Sequence, residues 1–118
     1  MASIHDGTPV IDREVSLRRL GGNEQLLTSL IGFFLEDAPA LLAQLVESIE
    51  TGDTKKAAHR AHSLKGLAAT FEALPFQQFA AEIEALASSG NSSQLAPAIP
   101  KLRFEYDRLA TELQSLID

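Results

Sequence analysis

The sequence predicts an all-α protein, an antiparallel four-helix bundle with a short additional N-terminal helix. Three observations predict it. Apolar residues recur at three- and four-residue steps in four separate stretches, and at roughly 100° per residue each set lies on one helical face. No segment alternates apolar and polar residues as a half-buried strand does. The stretches are joined by short runs of glycine, serine, asparagine and proline, and short links between amphipathic helices favour antiparallel neighbours.

Taken in order, Asp12 is placed to cap a first helix over Arg13 to Leu20, which Gly21-Gly22 ends because glycine adopts the left-handed conformation at a helix C-terminus. Asn23 caps the next helix, whose core positions Leu27, Ile31, Phe34, Ala38, Leu41, Leu45 and Ile49 keep phase across Pro39. That proline removes one hydrogen bond and crowds the carbonyl of Leu35, so a kinked but single helix is expected. Thr51-Gly52-Asp53 reads as a stop followed by a new cap, and a helix runs from Thr54 to about Phe71. Pro75 suits the first turn of the following helix, with core positions Phe76, Phe79, Ala80, Ile83, Leu86 and Ala87 and an end at Ser88-Ser89-Gly90-Asn91. The last helix is expected from near Ser93, with Leu95, Ile99, Leu102, Tyr106, Leu109, Leu113 and Leu116 as a continuous seam.

The chain has 118 residues, a single-domain length that buries roughly two-thirds of the surface of the unfolded chain. Sixteen acidic residues against ten basic ones give a net charge of −6, which argues against nonspecific binding to nucleic acid or to anionic membranes. The absence of cysteine excludes disulfide scaffolds, thiol nucleophiles and thiolate metal sites. Met1 to Val10 lacks the cationic flank and apolar run of a secretory signal. The longest apolar stretch, Leu26 to Leu35, is about half a membrane span. The expectation is a monomeric cytoplasmic domain over residues 10–118, preceded by a flexible segment over residues 1–9, with no direct membrane contact.

One helix carries more than its packing requires. Ala57, Ala61, Leu64, Ala68 and Phe71 form the inward stripe of the third long segment, and His62 sits about 140° from the stripe's centre. Lys65 and Gly66 follow one turn later, with Ala58 and Ala69 beside them. Gly66 costs a helix about 1 kcal/mol relative to alanine, so either a neighbouring helix or an outside partner must need the missing side chain. Lys55, Lys56, Arg60 and Lys65 gather four of the ten basic residues into about three turns without an acid. Lys55 and Lys56 would also occupy the first turn, where the helix dipole disfavours cations. A neutral imidazole offers one nitrogen lone pair while its other nitrogen carries a proton. A phosphoryl group is a suitable electrophile, and its transfer is governed by positioning and charge neutralisation, which Lys65 at the i+3 position can supply. An acceptor facing the second nitrogen would fix the tautomer, and either flank of the following helix has one: Gln77 and Glu84, or Gln78 and Glu82.

The run Ala61-His62-Ser63-Leu64-Lys65-Gly66 resembles the alanine-histidine-x-leucine-lysine-glycine hallmark of the histidine-containing phosphotransfer, or HPt, domain. The likeness extends through Ile11-Asp12, Phe34-Leu35-Glu36-Asp37-Ala38-Pro39, the Gly52-Asp53 turn and the Glu82 to Leu86 stretch, nearly the whole chain. The resemblance implies a phosphorelay carrier of two-component signal transduction. His62 would accept a phosphoryl group from a receiver-domain aspartate and pass it to another. Lys65 matches the phosphate-steadying lysine, Gly66 the glycine that leaves clearance for the receiver, and Glu84 the glutamine or glutamate 22 positions on that bonds the ring. The partner-facing strip would comprise Lys55, Ala58, His59, Gly66 and Ala69. The partners implied are response-regulator receivers and a histidine kinase core in the same or another chain. No intrinsic cofactor is expected, magnesium belonging to the receiver's acidic pocket, and no ATP-dependent kinase activity of its own. The Ile11-Asp12 opening resembles domains embedded at the C-terminal end of hybrid sensor kinases, whose parent chains are membrane-anchored. Two positions depart from the family pattern. Glu72 stands where many members have glycine, and Leu67-Ala68-Ala69 where many have a small polar or glycine-rich stretch.

Two other readings compete. A metal-binding bundle would use His59 and His62, three apart, but needs inward Glu-x-x-His pairs. The residues three before His5, His59 and His62 are Ala2, Lys56 and His59, and the surrounding lysines repel a cation. A helical adaptor that binds a receiver or kinase domain without carrying phosphate keeps the same bundle and differs only in being indifferent to the nucleophile. No phosphate-cradling glycine loop or nucleophile triad points to a hydrolase or a complete kinase.

Overall fold

A computed structural model describes residues 9–118. His5 and all but the last residue of the expected flexible segment lie outside the described residues. Five α-helices follow one another: α1 (Arg13–Arg19), α2 (Glu24–Glu50), α3 (Thr54–Ala69), α4 (Leu74–Ser88) and α5 (Ile99–Ile117). α3 packs on α2 and α4, and α5 closes the bundle against the same two helices. No strand occurs among the described residues.

Local chemistry sets the boundaries. Asp12, Asn23 and Asp53 each accept a hydrogen bond from a backbone N–H of the first turn they precede, at 3.0 to 3.1 Å, a cap worth about 1 kcal/mol apiece. Gly52 turns the chain between α2 and α3 at φ 77°, a left-handed conformation glycine adopts without steric cost. α2 runs unbroken through Pro39. It is long and apolar enough to cross a membrane; Leu27, Ile31, Phe34, Ala38, Leu45 and Val46 are buried in the bundle core, while Leu26 and Phe33 on the same helix are exposed.

Several details differ from the sequence expectation. Leu42 is buried while Leu41 is only partly so, because over 27 residues a stripe of period 3.6 drifts from any fixed three-four spacing. Leu86, Ile99 and Leu116 are likewise half-buried at the edges of their stripes. α3 ends at Ala69, and Phe71 reaches the core from the turn that follows. The last helix starts at Ile99, not near Ser93: residues 92–94 and 96–98 form two 3₁₀ turns. Pro97 has no N–H to donate to the carbonyl of Ser93, and Pro100 sits in the first turn of α5, where none is needed.

α1 covers one end of the bundle. The backbone N–H of Asp12 donates to the carbonyl of Phe71, the buried hydroxyl of Ser16 donates to that of Thr70, and Arg19 pairs with Glu72. All three fasten α1 to the turn between α3 and α4. Beneath it Phe34 meets Phe71 edge-on at 5.6 Å and stacks on Tyr106 at 6.1 Å, contacts that add about 0.5–1.5 kcal/mol each to the area they bury.

The inner face of α3 is built mainly of alanine. Ala57, Ala61 and Ala68 are fully buried, as is Ala80 of α4, and small side chains at a helix contact bring the axes toward the short end of the usual 8–10 Å range. That close approach positions the outer edges of α3 and α4 within reach of each other's polar side chains.

Candidate functional site

On that outer edge three side chains meet. His62 projects from the middle of α3 with 65% of its side chain exposed, and its Nδ1 lies 3.0 Å from Oε2 of Glu84 on α4. The other carboxylate oxygen of Glu84, Oε1, accepts a hydrogen bond from Nζ of Lys65 at 2.8 Å. Lys65 and Glu84 retain 33% and 26% of their side-chain exposure, so the carboxylate is partly shielded while the imidazole stands in water. Of the two flanks open to the sequence, the structure brings the Glu84 flank to the ring. Gln77 lies further along that flank, and Gln78 and Glu82 are exposed.

The electrostatics follow from the geometry. The hydrogen bond from Lys65 holds the carboxyl of Glu84 below the usual glutamate value; partial burial pushes the other way, and the contact with His62 lowers it further. At neutral pH Glu84 is therefore ionised and can only accept hydrogen bonds. An acceptor 3.0 Å from Nδ1 requires Nδ1 to carry the proton, which leaves the lone pair of the neutral ring on Nε2. The nucleophilic nitrogen is thus the one turned away from α4.

Gly66 is exposed, and a Cβ added there would find no atom within 4 Å. Packing of a neighbouring helix, one of two reasons the sequence offered for this residue, is therefore removed. Lys55 and His59 are exposed along the same side, Lys56 is exposed about 120° around the helix from His62, both lysines lie in the first turn of α3, and Ala58 and Ala69 are half-buried. The basic patch is narrower than the sequence suggests. Arg60 is half-buried and Lys65 is engaged by Glu84. The Lys65–Glu84 pair went unread in the sequence, although Lys65 one turn after His62 and Glu84 at the matching depth of the next helix were both visible.

A family model described as Hpt domain matches residues 29–118. No curated protein matches the chain at a significant level. Among solved structures, the chain is similar to the crystal structure of histidine-containing phosphotransfer protein B (HptB) from Pseudomonas aeruginosa PAO1, with a TM-score of 0.83 and 22% sequence identity over 92% of this chain and 95% of that one. At that identity the likeness speaks to the fold. The matched residues of the family model span α3 and α4 in full.

Proposed function

Because the chain belongs to the Hpt domain family and is a phosphorelay carrier of two-component signal transduction, we propose that its carrier atom is Nε2 of His62. The single observation that supports this is the Nδ1 contact with Glu84 on a ring otherwise open to water. In the proposed step the Nε2 lone pair forms a bond to the phosphorus of an aspartyl phosphate on a receiver domain. The bond from phosphorus to the aspartate oxygen breaks, and the carboxylate leaves with its electron pair. No proton need move: the ring keeps its Nδ1 proton, becomes cationic, and is stabilised by the carboxylate of Glu84 already in contact with it. The reverse attack by a second receiver's aspartate returns the ring to its neutral form.

Lys65 carries the charge that the incoming phosphoryl oxygens need, one helical turn from the ring. Gly66 leaves room for the receiver's backbone, and Lys55 and His59, with Ala58 and Ala69, form the rest of the facing strip. Magnesium, in this reading, resides in the receiver's own acidic pocket, to which the lysines of α3 are complementary in charge and so speed encounter. The domain acts as a cytoplasmic monomer in a modest, transient interface, with receivers and a histidine kinase core as its partners.

The experiment is transfer of labelled phosphoryl groups from receiver domains charged with acetyl phosphate. The wild-type chain should acquire acid-labile, base-stable label, and His62→Gln, which keeps the size and polarity of the side chain, should acquire none while retaining its helical circular dichroism. Equal labelling of the variant would move the carrier atom elsewhere. Binding of receivers by both forms with no label on either would favour the adaptor reading.

A further inference from the structure

The surroundings of the reacting ring have two sides. On one stands α4, where Nδ1 of His62 meets Oε2 of Glu84 at 3.0 Å and Nζ of Lys65 donates to Oε1 of the same carboxylate at 2.8 Å. The outward bonds of the two ring nitrogens diverge widely, so a phosphoryl group on Nε2 points away from α4. It brings three terminal oxygens, and Lys65, with two N–H groups left after its bond to Glu84, addresses them from the α4 side. The other side belongs to α3 alone, and there His59 stands exposed one turn before His62.

Helical geometry fixes the relation between the two imidazoles. His59 and Lys65 each lie about 60° around α3 from His62, Lys65 toward α4 and His59 away from it. Side chains on a helix lean toward its N-terminus, so the ring of His62 overlies the turn that carries His59, and residues three apart bring their Cβ atoms to roughly 5–6 Å. Gly66 is about 40° from His62 on the His59 side, and with no Cβ of its own and no atom within 4 Å of where one would stand it leaves that side open. The other polar groups of α3 are farther off. Lys55 is two turns away, about 10 Å along the axis. Lys56 is about 120° around the helix, and Arg60 is half-buried. α3 carries no acid to compete for the donor.

We propose that His59 is a second ligand of the transferred group: a ring N–H of His59 donates to a terminal oxygen of the phosphoryl group on Nε2 of His62, opposite Lys65. The inference rests on the carrier reading of His62. No bond to phosphorus forms or breaks at His59, and an imidazole carries at least one N–H in either protonation state, so the contact requires no proton transfer. Its partner exists only in the phosphorylated domain. The contact therefore stabilises the phosphohistidine without stabilising the free histidine, and by that difference it draws the transfer equilibrium from the receiver's aspartyl phosphate toward His62.

The test uses the full chain and measures how label divides at equilibrium between the domain and a receiver charged with acetyl phosphate. Docking contacts act on the complex and leave the equilibrium constant between the free species unchanged, so this readout isolates the phosphoryl contact from any role of His59 in receiver binding. His59→Leu should move the partition about fivefold toward the receiver, the effect of one hydrogen bond. His59→Gln, whose amide retains an N–H donor, should recover most of it, with circular dichroism unchanged in both. Labelling the wild type with phosphoramidate, without a receiver, should also shift the His59 ring resonances in proton–nitrogen NMR spectra. A partition identical in wild type and His59→Leu overturns the contact and leaves the carrier reading standing. A partition displaced in His59→Leu and not recovered in His59→Gln, with the His59 ring resonances unmoved by phosphorylation, overturns it as well. Undiminished labelling of His62→Gln overturns the carrier reading and the contact together.

Discussion

Nδ1 of His62 and Oε2 of Glu84 lie 3.0 Å apart although the residues belong to different helices and are separated by 22 positions. The contact orients the ring and selects its tautomer at once. Both consequences can be separated by changing the acceptor without removing it.

Glu84→Gln keeps a carbonyl oxygen able to accept from Nδ1 but discards the charge, whereas Glu84→Ala discards both. Phosphoryl transfer under single-turnover conditions should therefore fall in two stages. The glutamine variant loses the stabilisation of the cationic ring, and the alanine variant also loses the fixed tautomer, for a deficit of about tenfold or more, which corresponds to ~1.4 kcal/mol of transition-state stabilisation. Receiver affinity should change little in either. Identical rates for all three proteins would remove Glu84 from the reaction.

Acid should expose the same carboxylate in equilibrium unfolding. Lys65 above all, with His62 assisting, depresses the folded-state pKa of Glu84 below its ordinary 4.5. A depressed carboxyl binds protons less readily in the folded than in the unfolded chain, so its stabilising contribution is complete above pH 4.5 and is lost as pH falls through the lower folded value. Urea titrations should show the wild type more stable than Glu84→Gln at neutral pH, with the gap closing below about pH 4.5. A gap that stays constant from pH 7 to pH 3 would mean the pairing contributes through something other than charge.

How far the sequence reveals this molecule depends on what each feature answers to. Helix caps are local: Asp12, Asn23 and Asp53 are legible because the hydrogen bond each accepts lies three residues away. The stripe of α3 is legible because Ala57, Ala61, Leu64 and Ala68 keep phase over a short helix. His62 stands out for the opposite reason, as a polar group that no core contact explains. The engagement of Lys65 is different in kind. Which carboxylate it meets depends on the depth at which α4 slides against α3, a property of alanine packing between helices that neither helix states alone. The start of α5 failed for a similar reason: the seam from Leu95 to Leu116 is real, but the buried Leu95 reaches the core from a 3₁₀ turn, and periodicity does not distinguish that from α-helix.

Gly66→Ala should move stability and function in opposite directions. With nothing within 4 Å of the added Cβ, alanine should stabilise the domain by about 1 kcal/mol through helix propensity, seen as a rise of a few degrees in melting temperature. The same methyl group protrudes into the surface that a receiver must approach, one turn from the reacting nitrogen. A misplacement of about 1 Å at a reacting centre costs on the order of 100-fold in rate, so transfer should slow by at least about tenfold. Transfer at the wild-type rate in this more stable variant would show that Gly66 provides no clearance.

Glu72 makes the converse case, a residue that costs stability without touching the chemistry. Its φ of 50° makes it the one non-glycine residue in the left-handed region among the described residues, a conformation that costs an L side chain roughly 1–2 kcal/mol. Against this it gains the ion pair with Arg19, whose side chain is 61% exposed while that of Glu72 is 16% exposed, and a pair with one partner in solvent contributes about 0–1 kcal/mol. The backbone term is the larger. Glu72→Gly should therefore raise the stability of the domain by about 0.5–1 kcal/mol in urea unfolding, and Arg19→Ala should lower that of the wild type while having no effect in the glycine background. Phosphoryl transfer should be unchanged in both, since Glu72 follows His62 by ten residues, about 15 Å along the helix direction. A loss of stability in Glu72→Gly would mean that the clasp of α1 on the α3–α4 turn outweighs the backbone strain it imposes.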